Sequence, residues 1–265
     1  MRVSSPDEDL GPLIQLTAFA SKDDAHRSIA LTTAERTGVI ARIMLRSAAP
    51  GIGRALEAAA DDELLETIKE TPHLQCGVVS ELQRTNPLVA APLAVSAQAP
   101  HGLEQHWPRL GRVDVALGAS PFLPAFVELK CGEGANALGP CAWDALKLAF
   151  ALRLETTSAG FLVAATSAEM WRRPVRGGEL LGDGEWTAEG LRHAYADWWA
   201  FWEKDGATST NPVGYRPPPL VPSAFATMEI SEPHPFVIGS TPWELRMSQV
   251  VPQGQEWFAW EPFRT

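Results

Sequence analysis

The sequence predicts an α/β protein in which a mixed sheet is flanked by helices, with an N-terminal helical region and a C-terminal helix-plus-strand extension. The first third has helical periodicity, the centre contains short apolar runs of strand length, and an amphipathic stretch followed by proline-rich loops and short strands ends the chain. With 265 residues, 45% of them hydrophobic, the chain can bury a substantial core. We interpret it as one structural domain with three regions, 1–72, 73–170 and 171–265.

The N-terminal region, 1–72, is predicted to contain two helices. The first follows Thr32–Glu35, which has the form of a capping box. The second begins at the acidic pair Asp61 and Asp62 and ends at Pro72. Between them, Pro50–Gly53 is interpreted as a turn. A third predicted helix, 73–86, opens the central region with an amphipathic pattern.

The central region is predicted to hold two antiparallel strands, a helix and a further strand. Arg112–Leu117 alternates between apolar and other residues, and Ala125–Lys130 follows after turn-forming residues. Cys141–Leu154 is apolar at nearly every position, as expected of a helix that packs against a sheet on most sides. The continuous apolar run Gly160–Ala165 then indicates a buried strand after a crossover helix.

The C-terminal region combines a basic patch with an aromatic helix. Arg172, Arg173 and Arg176 form the densest basic patch of the chain and are candidates for contact with nucleic-acid phosphates, with a solvated loop as the other interpretation. Ala188–Lys204 is predicted to be an amphipathic helix rich in tryptophan. This Trp-rich part is a candidate surface for a homodimer or another protein partner.

Composition restricts the class of protein. The chain has 22 Lys and Arg against 32 Asp and Glu, a net charge of −10, which excludes a protein that coats polyanions without specificity. It has neither a signal-peptide pattern nor a membrane-spanning apolar stretch, so we expect a cytoplasmic protein without a membrane partner. Three cysteines without C-x-x-C spacing predict neither a disulfide framework nor a zinc site, and buried free thiols are favoured.

The residues that point to chemistry are Asp114, Glu128 and Lys130. Side chains alternate along a strand, so Glu128 and Lys130 share a face while Val127 and Leu129 occupy the other. The same alternation turns Asp114 away from the core on the neighbouring strand. Two carboxylates and one ammonium group are therefore expected to converge, and carboxylate oxygens are the ligands that Mg²⁺, or Mn²⁺ in its place, takes from proteins. The competing interpretation is an exposed cross-strand ion pair.

These residues resemble the motif of the PD-(D/E)XK, or restriction-endonuclease-like, nuclease superfamily. Glu128-Leu129-Lys130 corresponds to the E-x-K element and lies 14 residues after Asp114, although Val113 stands where the family name has proline. The resemblance covers roughly residues 73–166. It implies a mixed sheet flanked by helices, a helical acid before the motif, and a helix and a strand after it.

The resemblance also implies roles for individual positions. Asp114 and Glu128 would be metal ligands, the Leu129 carbonyl a further ligand, Lys130 the catalytic lysine, and Glu81 the acid on the preceding helix. Asp144 and Lys147, three residues apart on the following helix, are candidate supporting residues, and a solvent-facing pair is the other interpretation.

The expected function is thus that of a Mg²⁺-dependent nuclease that hydrolyses DNA phosphodiesters, an endonuclease of the bacterial restriction, defence or repair type, with RNA not excluded as substrate. The alternative is a catalytically idle relative that binds a protein partner as an immunity or regulatory module. The six histidines show no metal-binding spacing and are interpreted as surface residues.

Overall fold

One mixed β-sheet with helices on both faces organises the part of the chain that the computed structural model describes. The described residues are 33–63, 67–85, 93–103, 112–118, 123–132, 139–169, 182–191 and 220–259. Within these ranges eight strands and four helices of five or more residues are present, which confirms the predicted α/β class. No helix among them is long and apolar enough to cross a membrane.

Three α-helices and one π-helical turn make up the helical part. They are α1 (Thr33–Glu63), the π-helical turn (Glu70–Leu74), α2 (Gln75–Thr85) and α3 (Gly139–Arg153). The predicted helices over 73–86 and 141–154 are therefore confirmed within two residues of their ends.

The division of the first region into two helices is wrong. The single helix α1 runs through Pro50–Gly53, and Asp61 and Asp62 lie at its C-terminal end instead of at a helix start. The glycines are explained by packing: the Glu81 side chain of α2 lies directly over Gly51, and His234 lies over Gly53. Glycine in this stretch therefore allows close contact between elements instead of making a turn.

The strands follow the order β1-β2-β3-β4-β8-β6-β5, with β7 also paired to β8. Their bounds are β1 (Val95–Pro100), β2 (Arg112–Leu117), β3 (Ala125–Gly132), β4 (Ala159–Ser167), β5 (Gly184–Thr187), β6 (Leu220–Glu229), β7 (His234–Ile238) and β8 (Thr241–Ala259). The pair β2 and β3 is antiparallel, as predicted, and α3 connects β3 to the parallel strand β4.

The sheet separates two apolar clusters. On one face α1 and α2 pack against alternate residues of the central strands, among them Val127, Leu129 and Phe161. On the other face α3 packs against the intervening residues, such as Phe126 and Leu162. Because β3 alternates between the two clusters, Glu128 and Lys130 share a face, as the alternation argument predicted, and the structure shows that α3 covers this face.

The last described segment, 220–259, was predicted to form short strands and loops, but it contributes three strands to the sheet. The 19-residue strand β8 pairs antiparallel with β4 and, on its other side, with β7 and then β6. Of the predicted helix over 188–204, only 188–191 lies within the described residues, where it is helical. The basic patch of Arg172, Arg173 and Arg176 lies outside them.

The three cysteines are free thiols, in agreement with the prediction that no disulfide forms. Cys141 is buried, Cys131 is partly buried and Cys76 is exposed, so the expectation that all three are buried is wrong for Cys76. Burial raises the pKa of the Cys141 thiol far above its usual value.

Candidate functional site

The candidate site lies where the pairing between β2 and β3 stops. The ladder between these strands ends at Val115 and Val127, although both strands continue beyond it. On the other side of β2, the ladder with β1 omits the position of Asp114 opposite Gln98, whose φ of 51° lies in the left-handed region. An interruption on both sides leaves room for a side chain to enter the space between the strands.

Asp114 fills this space. Its Oδ2 accepts a hydrogen bond of 2.8 Å from the backbone N–H of Leu129, and its Oδ1 accepts one of 3.3 Å from Gln98. On the helical side, Gln75 of α2 donates to the Asp114 carbonyl at 3.0 Å. The alternation used to place Asp114 does not extend along all of β2, because Val113 packs with α3 whereas Val115 packs with α1 and α2.

Glu128 is buried on the α3 face, with 2% of its side chain exposed. Its Oε1 lies 3.2 Å from Nε2 of His101 and 3.0 Å from the Lys147 ammonium group. His101 follows β1 directly, is itself buried, and contacts the edge of Phe126. One oxygen of Glu128 is thus held by two donors from different elements, which fixes the orientation of the carboxylate.

Lys130 connects three elements. Its Nζ lies 2.8 Å from Oδ2 of Asp144 on α3 and 3.2 Å from Oε2 of Glu70 in the π-helical turn. It also donates a 2.8 Å hydrogen bond to the carbonyl of Leu129. The ammonium group therefore contacts two carboxylates and the one backbone carbonyl that lies between the E-x-K residues.

Helix α3 supplies Asp144 and Lys147, which form an ion pair of 2.7 Å. The helix is buried nearly all round, so these two charged residues have no solvent-facing side to occupy. They turn toward the charged end of β3, where Asp144 contacts Lys130 and Lys147 contacts Glu128. The predicted pair is thus part of the buried network, and the solvent-facing interpretation is wrong.

The network shifts the pKa of its members in opposite directions. Burial, with the nearby Glu128 carboxylate adding to it, raises the pKa of Asp114 to about 7. Burial alone would raise the pKa of Glu128 too, but Lys147 and the hydrogen bond from His101 hold it below its usual value. Burial opposes the charged form of Lys130, yet Asp144 and Glu70 raise its pKa well above the usual value. Lys130 is therefore a cation at neutral pH.

Exposure increases across the network toward one side. The exposed fraction of the side chain is 2% for Glu128, 15% for Lys130 and 35% for Glu70. The network is thus closed beneath α3 and open at the π-helical turn.

Two members of the network were missed by sequence reasoning, and one predicted member is elsewhere. Glu81 forms an ion pair of 2.7 Å with Arg84 and lies over Gly51, so the structure directs its carboxylate to α1. Glu70, eleven residues earlier, is the acid that precedes α2 and contacts Lys130. His101 was interpreted as a surface residue but is buried against Glu128, so that interpretation is wrong for this histidine.

The donor set is compatible with a hard divalent cation. The described residues contain no group of three or more His, Cys, Asp and Glu side chains preformed around a metal position. Asp114, Glu128 and the Leu129 carbonyl nevertheless offer only oxygen atoms on adjacent strands. Mg²⁺ typically takes one or two carboxylates and completes its shell with water and substrate oxygens, so this small set fits it.

Comparison of the chain with models of protein families, with curated proteins and with solved structures found no match.

Proposed function

We propose that the protein is a Mg²⁺-dependent nuclease of the PD-(D/E)XK type that hydrolyses phosphodiester bonds of DNA, an endonuclease of the restriction, defence or repair type. The observation that carries this proposal is that Asp114 accepts a hydrogen bond from Leu129, the residue between Glu128 and Lys130, at the point where β2 and β3 cease to pair. Asp114 binds the backbone of the E-x-K segment itself, so the three residues belong to one local unit.

Each residue of this unit has a role in the proposed reaction. Asp114, Glu128 and the Leu129 carbonyl would hold Mg²⁺, and the bound ion would polarise the phosphodiester and lower the pKa of a water ligand. The Lys130 ammonium lies 2.8 Å from the Leu129 carbonyl, so it would provide a fixed positive charge beside a phosphate bound to that ion. That charge stabilises the negative charge that develops on the phosphoryl oxygens.

The surrounding residues keep these groups in place. Asp144 and Glu70 hold the Lys130 ammonium from two sides, while His101 and Lys147 hold one oxygen of Glu128. Such preorganisation lowers the cost of reaching the reactive geometry. The open side at Glu70 gives a nucleic-acid backbone access to the Lys130 side of the network.

The experiment that tests this proposal is plasmid cleavage. Purified full-length protein should nick or linearise supercoiled plasmid in the presence of Mg²⁺ or Mn²⁺, and EDTA should abolish the reaction. Lys130→Ala should reduce the rate by at least about 100-fold, because it removes the positive charge next to the reacting phosphate. Matched RNA substrates in the same assay determine whether RNA is also cut.

Lys69→Ala is the matched control. Lys69 is a nearby lysine that is exposed, and its described contacts involve only its backbone: the N–H donates to His73 and the carbonyl accepts from the Leu74 N–H. The control should cleave at the wild-type rate. Equal activity in Lys130→Ala and Lys69→Ala would contradict the role of Lys130.

A second candidate function is a catalytically idle protein that keeps this fold to bind a protein partner. The observation that favours it is that Lys147 contacts both Glu128 and Asp144, and that all three side chains are nearly inaccessible. Buried ion pairs of this kind also occur for structural reasons. Calorimetry without a Mn²⁺ binding signal, together with no cleavage of DNA or RNA, would favour this function over a nuclease.

A further inference from the structure

The candidate site contains more carboxylates than cationic side chains. Glu70, Glu128 and Asp144 contact the ammonium groups of two lysines, Lys130 and Lys147, and Asp114 lies in the same site without such a contact. With every carboxylate ionised, two negative charges are left without a lysine to balance them. One divalent cation supplies that missing charge, and two divalent cations would exceed it.

The two halves of the site differ in how their carboxylates are balanced. Lys147 lies between two carboxylates, with its Nζ 3.0 Å from Oε1 of Glu128 and 2.7 Å from Oδ1 of Asp144. This bridging position between two acidic side chains is one that a metal ion takes in sites with two metals. The ammonium group is held there by its spacing on α3 and by burial, with 9% of the side chain exposed.

Asp114 lies in the other half of the site and has a different environment. Its two carboxylate oxygens contact neutral donors, the backbone N–H of Leu129 and the side-chain amide of Gln98. In the described part of the chain, no lysine or arginine lies within ion-pair distance of it. One of the two unbalanced charges therefore lies at Asp114, and the other is shared by Glu70, Glu128 and Asp144, which contact the two lysines.

We propose that the Lys147 ammonium permanently fills the place of a second metal ion, so that each chain binds one divalent cation, next to Asp114. This inference rests on the proposed metal-dependent function and specifies its metal content. A second ion would have to displace the ammonium group from between Glu128 and Asp144, where two short ion pairs and burial hold it.

The test is the number of Mn²⁺ ions bound per full-length chain, measured by equilibrium dialysis and calorimetry. Wild type should bind one. Lys147→Met keeps the apolar stem but removes the ammonium, so that two facing carboxylates become available and the number should rise to two. In the electron paramagnetic resonance spectrum, the isolated Mn²⁺ signal of wild type should then give way to that of a coupled pair.

Lys147→Arg is the control, because it keeps a cation at this position and should still bind one ion. Should Lys147→Met fail to fold, Lys147→Gln replaces it, since the amide still donates to a carboxylate while lacking the charge. Two ions per wild-type chain, or one ion in a folded variant that lacks the charge, would overturn the inference and leave the nuclease proposal intact. Absence of any bound Mn²⁺, together with no plasmid cleavage, would overturn both.

Discussion

The two faces of the sheet solve the problem of burial in different ways. Toward α1 and α2 the sheet presents an apolar surface, with Val115, Val127 and Leu129 packed against the helices. Toward α3 it is equally buried, but at the end of β3 the apolar surface is replaced by the network of Glu128, Lys130, Asp144 and Lys147. The same strand therefore contributes a hydrophobic core to one layer and buried charges to the other.

We interpret this difference as a division between a face that stabilises the fold and a face that carries the proposed function. Burying ion pairs is often no more stabilising than burying apolar side chains of similar volume. A cluster of buried charges with pKa values displaced in both directions is frequent at functional sites. The α1 and α2 face maintains the fold, and the α3 face is where we place the chemistry.

The largest expected effect comes from removing Asp144, the carboxylate that both lysines of the network contact. Asp144 contacts both Lys130 and Lys147, so Asp144→Ala leaves two buried ammonium groups short of a partner. We expect a loss of about 3–5 kcal/mol in the free energy of unfolding, measured by urea denaturation. Leu56→Ala on the apolar face should cost about 2–5 kcal/mol through a cavity, so the two faces would be comparable in sensitivity.

The control for this experiment is Glu70→Gln. Glu70 also contacts Lys130, but 35% of its side chain is exposed, so water can replace much of the lost interaction. The change should cost less than about 1 kcal/mol. If Asp144→Ala were as mild as Glu70→Gln, the network would be solvated and the comparison between the two faces would fail.

An intermediate effect, of opposite sign, is expected at Asp114. The folded-state pKa of Asp114 is raised to about 7 from 3.8, so between these values the folded protein retains a proton that the unfolded chain has lost. The contribution of this group to stability is therefore present at low pH and is lost as the pH rises toward 7. Asp114→Asn removes the buried charge and should stabilise the protein, by about 1–3 kcal/mol more at pH 8 than at pH 5.

The measurement is the denaturation midpoint of wild type and Asp114→Asn at both pH values, in EDTA so that metal ions do not contribute. Asparagine still offers an oxygen to the Leu129 N–H, so the hydrogen bond to β3 is kept. Stability gained together with loss of plasmid cleavage is expected of a site in which function opposes stability. An identical pH dependence for the two proteins would contradict the raised pKa.

The last two changes test packing away from the charges, and the second of them has the smallest effect that we expect. A Cβ at Gly160 of β4 would lie 3.0 Å from the Leu148 Cβ, so Gly160→Ala should overpack this contact and cost about 1–3 kcal/mol. Gly77→Ala in α2 is the counterpart on the other face, where a Cβ would have ordinary contacts at 3.7 Å and beyond. It should increase the free energy of unfolding by about 0.5–1 kcal/mol, seen as a slightly higher thermal midpoint, because alanine favours the helix. Equal effects of the two changes would show that the faces do not differ in packing.

Much of the architecture could be predicted from periodicity. The strands β2, β3 and β4 and the helices α2 and α3 have apolar patterns that their own sequence makes plain, and the structure contains them. The continuity of α1 could not be predicted, because Pro50–Gly53 has the composition of a turn. Its glycines make room for side chains of elements that are distant in sequence. The central place of β8 depends on pairing with β4, which no local pattern reveals.

The network was predictable only in part, for the same reason. Alternation placed Glu128 and Lys130 on one face, and the i, i+3 spacing in an otherwise apolar helix pointed to Asp144 and Lys147. Glu70 lies in a π-helical turn, outside any amphipathic pattern, so the sequence favoured Glu81, which has a helical position but a different partner. His101 carries no spacing signal, because its partner Glu128 is 27 residues away.

The pairing of β8 with β4 has a consequence for the order in which the chain acquires structure. All the residues of the charged network precede residue 148, but β4 gains its second neighbour only when partners such as Gly160 and Val250 meet. Contacts so distant in sequence form slowly. During synthesis, a chain in which β8 has not yet been translated exposes the unpaired, hydrophobic edge of β4. We therefore expect a variant truncated so that it lacks residues 220–265 to self-associate through β4 and to depend on chaperones. This is expected even though every residue of the network is present.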